Sequence, residues 1–156
     1  MRKWNLGLAL ALLLSLAGCR GLGLKDESAG ELERNVQESD LQVRETRTLA
    51  GLAAMETALA GYVKGERRIP ERVDELVPKY LAEVPSVDLA IGGHHETSAV
   101  RYYASDLLQD GQIDGTKLKD TGKWGYVHND QQVVIFVDCT HPSTRGKPWY
   151  EERVSQ

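Results

Sequence analysis

The sequence predicts an α+β fold in which a long N-terminal helix packs on a small antiparallel β-sheet, with a short second helix between them. Three observations point there. Residues 31–64 contain no proline and carry apolar residues at helical spacing in their second half; a shorter pattern of the same period follows Pro70; and the last third of the chain holds three β-like runs. Packing the helix stripe on the apolar face of such a sheet forms one core. At 156 residues, 41% hydrophobic and 27% charged, the chain is sized for one small domain with tails.

The first segment stands apart from this domain. Met1-Arg2-Lys3-Trp4-Asn5 is a short basic start, and residues 6–16 are an almost unbroken Leu/Ala run. A basic start before about 11 apolar residues is the build of a secretory signal peptide, and it is too short for a helix crossing the bilayer, which takes about 20. Leu16-Ala17-Gly18-Cys19 resembles the bacterial lipobox, where the chain is cut before a lipid-modified cysteine. Only a thiol can take a diacylglyceryl group as a thioether, so Cys19 is the expected lipidation site and residues 1–18 the expected lipoprotein signal peptide. Two or three acyl chains, palmitate among them, hold a protein on a membrane where one chain binds only marginally. Losing residues 1–18 removes Arg2 and Lys3 and takes the net charge from -4 to -6. Similarity to Gram-negative lipoproteins places the domain in the periplasm, and Arg20, where retained lipoproteins carry aspartate, favours the outer membrane.

Residues 19–30 then read as the lipid attachment and a flexible tether, with three glycines and no periodic pattern. Ser28-Ala29-Gly30-Glu31 matches a capping box, so a helix is expected to start there. Residues 31–47 form a charged stalk in which eight charged residues outnumber Leu32, Val36, Leu41 and Val43. In residues 48–156, the globular domain, Leu49, Leu52, Met55, Leu59 and Tyr62 fall on one helical face. Val73, Leu76, Val77, Tyr80 and Leu81 predict the second helix, shortened or broken by Pro78. Residues 86–98 read as a loop. Residues 100–104, 123–127 and 133–137 are the candidate strands, the last a β-branched run suited to burial on both faces. His128-Asn129-Asp130-Gln131 supplies the turn of an antiparallel hairpin, and the segment from Cys139 to Tyr150, with Pro142, Gly146 and Pro148, is expected to wrap the surface.

An acidic chain with 6% aromatic residues lacks the basic footprint of a general nucleic-acid binder. His94-His95-Glu96 offers metal-ligating side chains, but adjacent histidines point apart and neither His128 nor His141 is spaced to join them. Asp110, Asp114 and Asp120 fall in a glycine-containing loop that suits calcium's preference for oxygen, without an EF-hand's ligand order. Cys139, with Cys19 lipidated, has no partner and reads as a core thiol, His141 being its only basic neighbour at close spacing. No nucleophile motif or phosphate loop is present. The expectation is therefore no catalytic residue, no bound metal and no cofactor.

The order of these pieces resembles the globular part of type II secretion pseudopilins and related type IV pilin-like proteins over about residues 49–150. The residues concerned are Pro70, Asp74-Glu75-Leu76-Val77-Pro78-Lys79-Tyr80-Leu81, Val84-Pro85, Asp120-Thr121-Gly122-Lys123-Trp124-Gly125-Tyr126, Val137-Asp138-Cys139-Thr140 and Gly146-Lys147-Pro148-Trp149. Arg68-Ile69-Pro70 stands for the family's Arg-Tyr-Pro, and its Asp-Pro-Trp-Gly is absent at Val87-Asp88-Leu89. The prepilin peptidase site and apolar N-terminal helix are missing as well. Some members bind calcium, but Asp110, Asp114 and Asp120 do not align one by one with those ligands. The resemblance implies a pilin-like domain that contacts other proteins of a secretion or envelope assembly. The alternative is a periplasmic metal-binding or hydrolytic protein using His94 and His95 or Asp110 and Asp114.

Overall fold

The computed structural model describes residues 24–154. Cys19, Arg20 and the expected signal peptide lie outside the described residues. Helix α1, Leu24–Glu66, spans 43 residues, about 65 Å at 1.5 Å per residue. It takes in residues 24–30, which the sequence assigns to the tether. Without a proline, one exposed glycine costs too little, about 1 kcal/mol, to end a helix that continues for many turns. The Ser28 capping box therefore lies inside the helix rather than at its start.

Past residue 43 the helix meets the rest of the molecule. Leu52, Met55, Ala58, Leu59 and Tyr62 are buried, with Leu49 packed at the margin. Their spacing is what one continuous face of a 3.6-residue period requires. The helix stops at Arg67, which adopts a left-handed conformation (φ 57°) while its amide still donates to Val63 O at 3.0 Å.

The expected second helix is a single 3-10 turn, Val73–Leu76. Val77 is extended, as a residue preceding proline tends to be, and Pro78 cannot continue the hydrogen-bond pattern. Glu75 fastens this turn to α1: it accepts from Tyr62 Oη and Arg68 at 2.6 Å each and from the Glu71 and Arg72 amides at 2.7 and 3.1 Å.

Five strands follow among the described residues: β1 (Val100–Tyr103), β2 (Leu108–Gln109), β3 (Gln112–Ile113), β4 (Trp124–His128) and β5 (Val133–Val137). The hairpin β4–β5 is antiparallel, with Trp124 opposite Val137 and His128 opposite Val133. However, β1 pairs with β4 in parallel, Val100 opposite Trp124, so the sheet β1-β4-β5 is mixed and not antiparallel. Parallel pairing needs a crossover of a dozen or more residues, and residues 104–123 supply it.

That crossover gives the sheet a second covered face. Trp124, Tyr126, Ile135 and Val137 face α1, together with Val87, Leu89 and Trp149. On the other side Val127 and Phe136 pack with Leu107, bordered by Tyr103, Leu108, Ile113 and Leu118. The described residues thus form two hydrophobic clusters where the sequence predicts one core, and β5 lies between them. The segment beyond Cys139 is also more than a wrapping: Trp149 is fully buried, and Ser143 and Glu152 are buried and joined at 2.6 Å.

Met55→Ala removes a fully buried side chain from the helix stripe and should cost about 2–5 kcal/mol in denaturant unfolding, while Leu32→Ala on the exposed part of α1 should stay within about 0.5 kcal/mol. The Glu75 clamp should register in acid. Its hydrogen bond from Tyr62 leads a set of donors that hold the carboxyl down at about 2 against an ordinary 4.5. A depressed folded-state pKa contributes stability that is complete above about pH 4.5 and lost as pH falls towards 2. Glu75→Gln should therefore be destabilised at neutral pH and show a smaller loss of stability across that window.

Candidate functional site

Among the described residues, two regions carry side chains that the core does not explain. One is the part of α1 that runs beyond the domain. Residues 29–43 are exposed except for a half-buried Leu41, and Leu32, Val36 and Val43 keep 65%, 60% and 56% of their surface in solvent. The spacings of four and seven residues between these three place them on one side of the helix.

The base of this projection is tied down by polar contacts. Arg44 pairs with the buried Asp88 through Nη2 and, at 2.8 Å, through Nε. Thr48 Oγ1 accepts from the Asp88 amide at 3.0 Å and donates to its carbonyl at 3.1 Å. Glu45, also buried, accepts from the Thr144 amide at 2.9 Å and from the Thr144 hydroxyl. Thr48 thereby satisfies the buried amide and carbonyl of Asp88 in the 86–98 loop, which would otherwise each cost about 1–3 kcal/mol, and Glu45 ties the C-terminal segment to the helix. The charged composition of residues 31–47 concealed that its last turn belongs to the domain.

The second region lies where three segments meet at one end of the sheet. His94 comes from the 86–98 loop, Asp120 from the turn before β4, and Cys139 and His141 from the chain leaving β5. One ligand atom from each of the four lies within 4.8 Å of all the others. Asp120 Oδ1 is 3.7 Å from His94 Nε2, Asp120 Oδ2 is 3.5 Å from His141 Nδ1, and Cys139 Sγ is 3.5 Å from the same Nδ1. The two imidazole rings meet edge to face with centroids 5.7 Å apart.

Local backbone geometry creates this meeting. Gly122 has a φ of +65°, and a Cβ there would lie 2.4 Å from His94 Cγ; Gly92, also at +65°, would place one 2.7 Å from His141 Cε1. Asp120 itself is left-handed (φ 52°), a conformation aspartate tolerates better than most residues. Its turn is held by the buried Asp138, which accepts from the Asp120 and Thr121 amides at 3.2 and 3.3 Å and from Thr121 Oγ1 at 2.5 Å.

The chemistry of the four groups is asymmetric. Burial works to raise the Asp120 carboxyl, but the Thr140 amide and the two imidazoles outweigh it and hold the group below its ordinary range. Burial pushes the Cys139 thiol up to about 12, so on its own it is a protonated, unreactive thiol. The Cys139–His141–Asp120 set is not a nucleophilic triad. In a triad the ring bridges its two partners through opposite nitrogens, whereas here sulfur and carboxylate converge on the same Nδ1. His94 Nε2 is buried and has no hydrogen-bond partner, the Asp120 oxygen lying beyond hydrogen-bond reach at 3.7 Å.

The other residues singled out in the sequence are dispersed. His95 is exposed, and Glu96 accepts from Ser86 Oγ at 2.7 Å. Asp110 occupies the left-handed turn between β2 and β3, and Asp114 accepts from Thr116 N and Oγ1 and from Gln109, so both aspartates are engaged in local turns. Asp120 departs to the histidine cluster. His128 ends β4 beside Tyr126, at 5.8 Å between ring centroids. The signal for the cluster in the sequence was Cys139-x-His141 at the end of the strongest strand, with glycines beside His94 and Asp120.

In a Cys19→Ser background and in the presence of a chelator, a water-soluble thiol reagent should leave Cys139 unmodified in the folded protein and label it on unfolding. Rapid labelling of the native state would contradict a buried, protonated thiol. Set against protein families, curated proteins and solved structures, the chain has no match, so its function is argued from its own residues.

Proposed function

We propose that this chain is a membrane-anchored lipoprotein, attached through an acylated Cys19, whose pseudopilin-like domain acts without catalysis in protein-protein contacts of a secretion or cell-envelope assembly. The observation that carries this reading is the stretch of α1 outside the domain, with Leu32, Val36 and Val43 exposed along one side. Those side chains gain nothing from water, and their spacing suits the seam of a contact with another helix. Eight charged residues over 31–47 make burial of the whole helix inside a filament costly, so a contact along one side fits better than enclosure.

The N-terminal sequence supports the anchor. No helix among the described residues is long and apolar enough to cross a membrane, and the short apolar run ahead of Cys19 has the form of a cleaved signal. Residues 29–43, at 1.5 Å each, would hold the domain about 22 Å beyond whatever fixes residue 28. Arg20 in place of aspartate favours the outer membrane as the site of the anchor.

Cys19→Ser should move the protein from the membrane to the soluble fraction of cells, and mass spectrometry of the wild-type N-terminus should find an acylated Cys19. A Cys19→Ser protein that stays on the membrane removes the anchor. In the same cells, a photo-crosslinker at Val36 should capture a protein partner that one at Glu38, on the opposite side of the helix, does not; equal capture or none at both positions removes the helix contact.

A further inference from the structure

We infer that His94, Asp120, Cys139 and His141 form a binding site for a zinc-class divalent metal ion, one that clasps the 86–98 loop and the turn before β4 to the end of β5. The inference stands on the geometry of the domain and is independent of the anchor at Cys19.

The donor set is the first support. Two imidazole nitrogens, one thiol sulfur and one carboxylate oxygen are the ligands zinc takes in four-coordinate sites, while calcium and magnesium require oxygen. Spacing is the second. Donors at about 2.0–2.3 Å from a tetrahedral centre stand roughly 3.3–3.7 Å from one another. His141 Nδ1 stands at this spacing from both Cys139 Sγ and Asp120 Oδ2, 3.5 Å each, His94 Nε2 lies 3.7 Å from the other carboxylate oxygen, Oδ1, and one donor atom from each of the four residues falls within 4.8 Å of all the others. Closing the remaining separations from at most 4.8 Å to this range completes the shell.

The third support is the state of His94. Its side chain is 91% buried, and its Nε2 is directed at the cluster without a hydrogen-bond partner. In the tautomer protonated at Nδ1, a buried Nε2 left in this way offers an unused lone pair, and a cation among the four groups uses it. The same ion resolves the convergence of Cys139 and Asp120 on one nitrogen of His141, because all three can be ligands at once whereas Nδ1 alone cannot serve two partners.

Surrounding groups supply what such a site needs. Thr140 N donates to Asp120 Oδ1 at 2.8 Å, an outer contact that orients the carboxylate. Gly92 and Gly122 leave the space in which the two rings approach. His141 and Asp120 are 42% and 35% exposed, so an ion has a way in, while Cys139 closes the inner side. With four protein ligands the site is structural, and its ion would be bound without an open position for substrate. On binding, the Cys139 thiol gives its proton to solvent and coordinates as thiolate.

The test uses the full chain, stripped with a chelator, dialysed metal-free and titrated with Zn2+ and with Co2+. The expected result is one tightly bound Zn2+ per chain, with Co2+ giving the intense visible bands of a tetrahedral site and a sulfur-to-cobalt charge-transfer band. Cys139→Ser should remove the charge-transfer band and Cys19→Ser should retain it. His94→Ala and His141→Ala should each weaken Zn2+ binding at least roughly 100-fold, the upper end of what loss of a mere outer-shell partner costs, and His95→Ala should not weaken it. Circular dichroism of each variant shows that it remains folded, and the wild-type cobalt spectrum does not depend on the variants. Absence of stoichiometric Zn2+ binding by the wild type, a weak octahedral cobalt spectrum unchanged by Cys139→Ser, or equal losses from His94→Ala and His95→Ala would each overturn the site.

Discussion

Burial of one helical stripe on one sheet face is the contact from which the rest of this molecule follows. Leu52, Met55, Leu59 and Tyr62 cannot be covered by the helix that carries them, and Trp124, Tyr126, Ile135 and Val137 cannot be covered by their own strands. Each set removes the other from water. Once they meet, the direction of α1 relative to the sheet is set, and so is the place where the helix leaves the domain. Residues 29–43 run free because the sheet extends no further, and the contacts of Arg44, Glu45 and Thr48 mark the border.

The same packing accounts for the position of the His94 cluster. Val87 and Leu89 are buried in the core under α1, so the loop from 86 to 98 is held at both its start and its β1 end. Trp149 pulls the C-terminal segment inward, and its amide donates to His141 O at 3.1 Å. The crossover between β1 and β4 then delivers Asp120 to the same corner. Four side chains separated by up to 47 positions in the sequence converge because three connections start or finish at one end of a three-stranded sheet.

Local pattern carried much of this fold into view. The helix stripe, all three strands of the main sheet and the β4–β5 hairpin were legible because periodicity and turn residues are local signals. The second helix was read from five apolar positions and proved to be one 3-10 turn, since Pro78 outweighs the pattern around it. The parallel partner of β4 was not legible, because a strand's sequence carries no mark of its neighbour's direction. Nor was the burial of Glu45, Thr48 and Trp149, each in a segment whose overall composition speaks for the surface.

By itself the sequence determined the α+β class of the fold, the apolar face of α1 and the run of β5. All of these rest on residue type and short spacing. Only the tertiary structure decided that the sheet is mixed, that its two faces are both covered, and that His94 is partnered with His141 rather than with the adjacent His95. The reason is geometric: neighbours along a chain diverge in direction, while distant residues are brought together only by the packing of the elements between them.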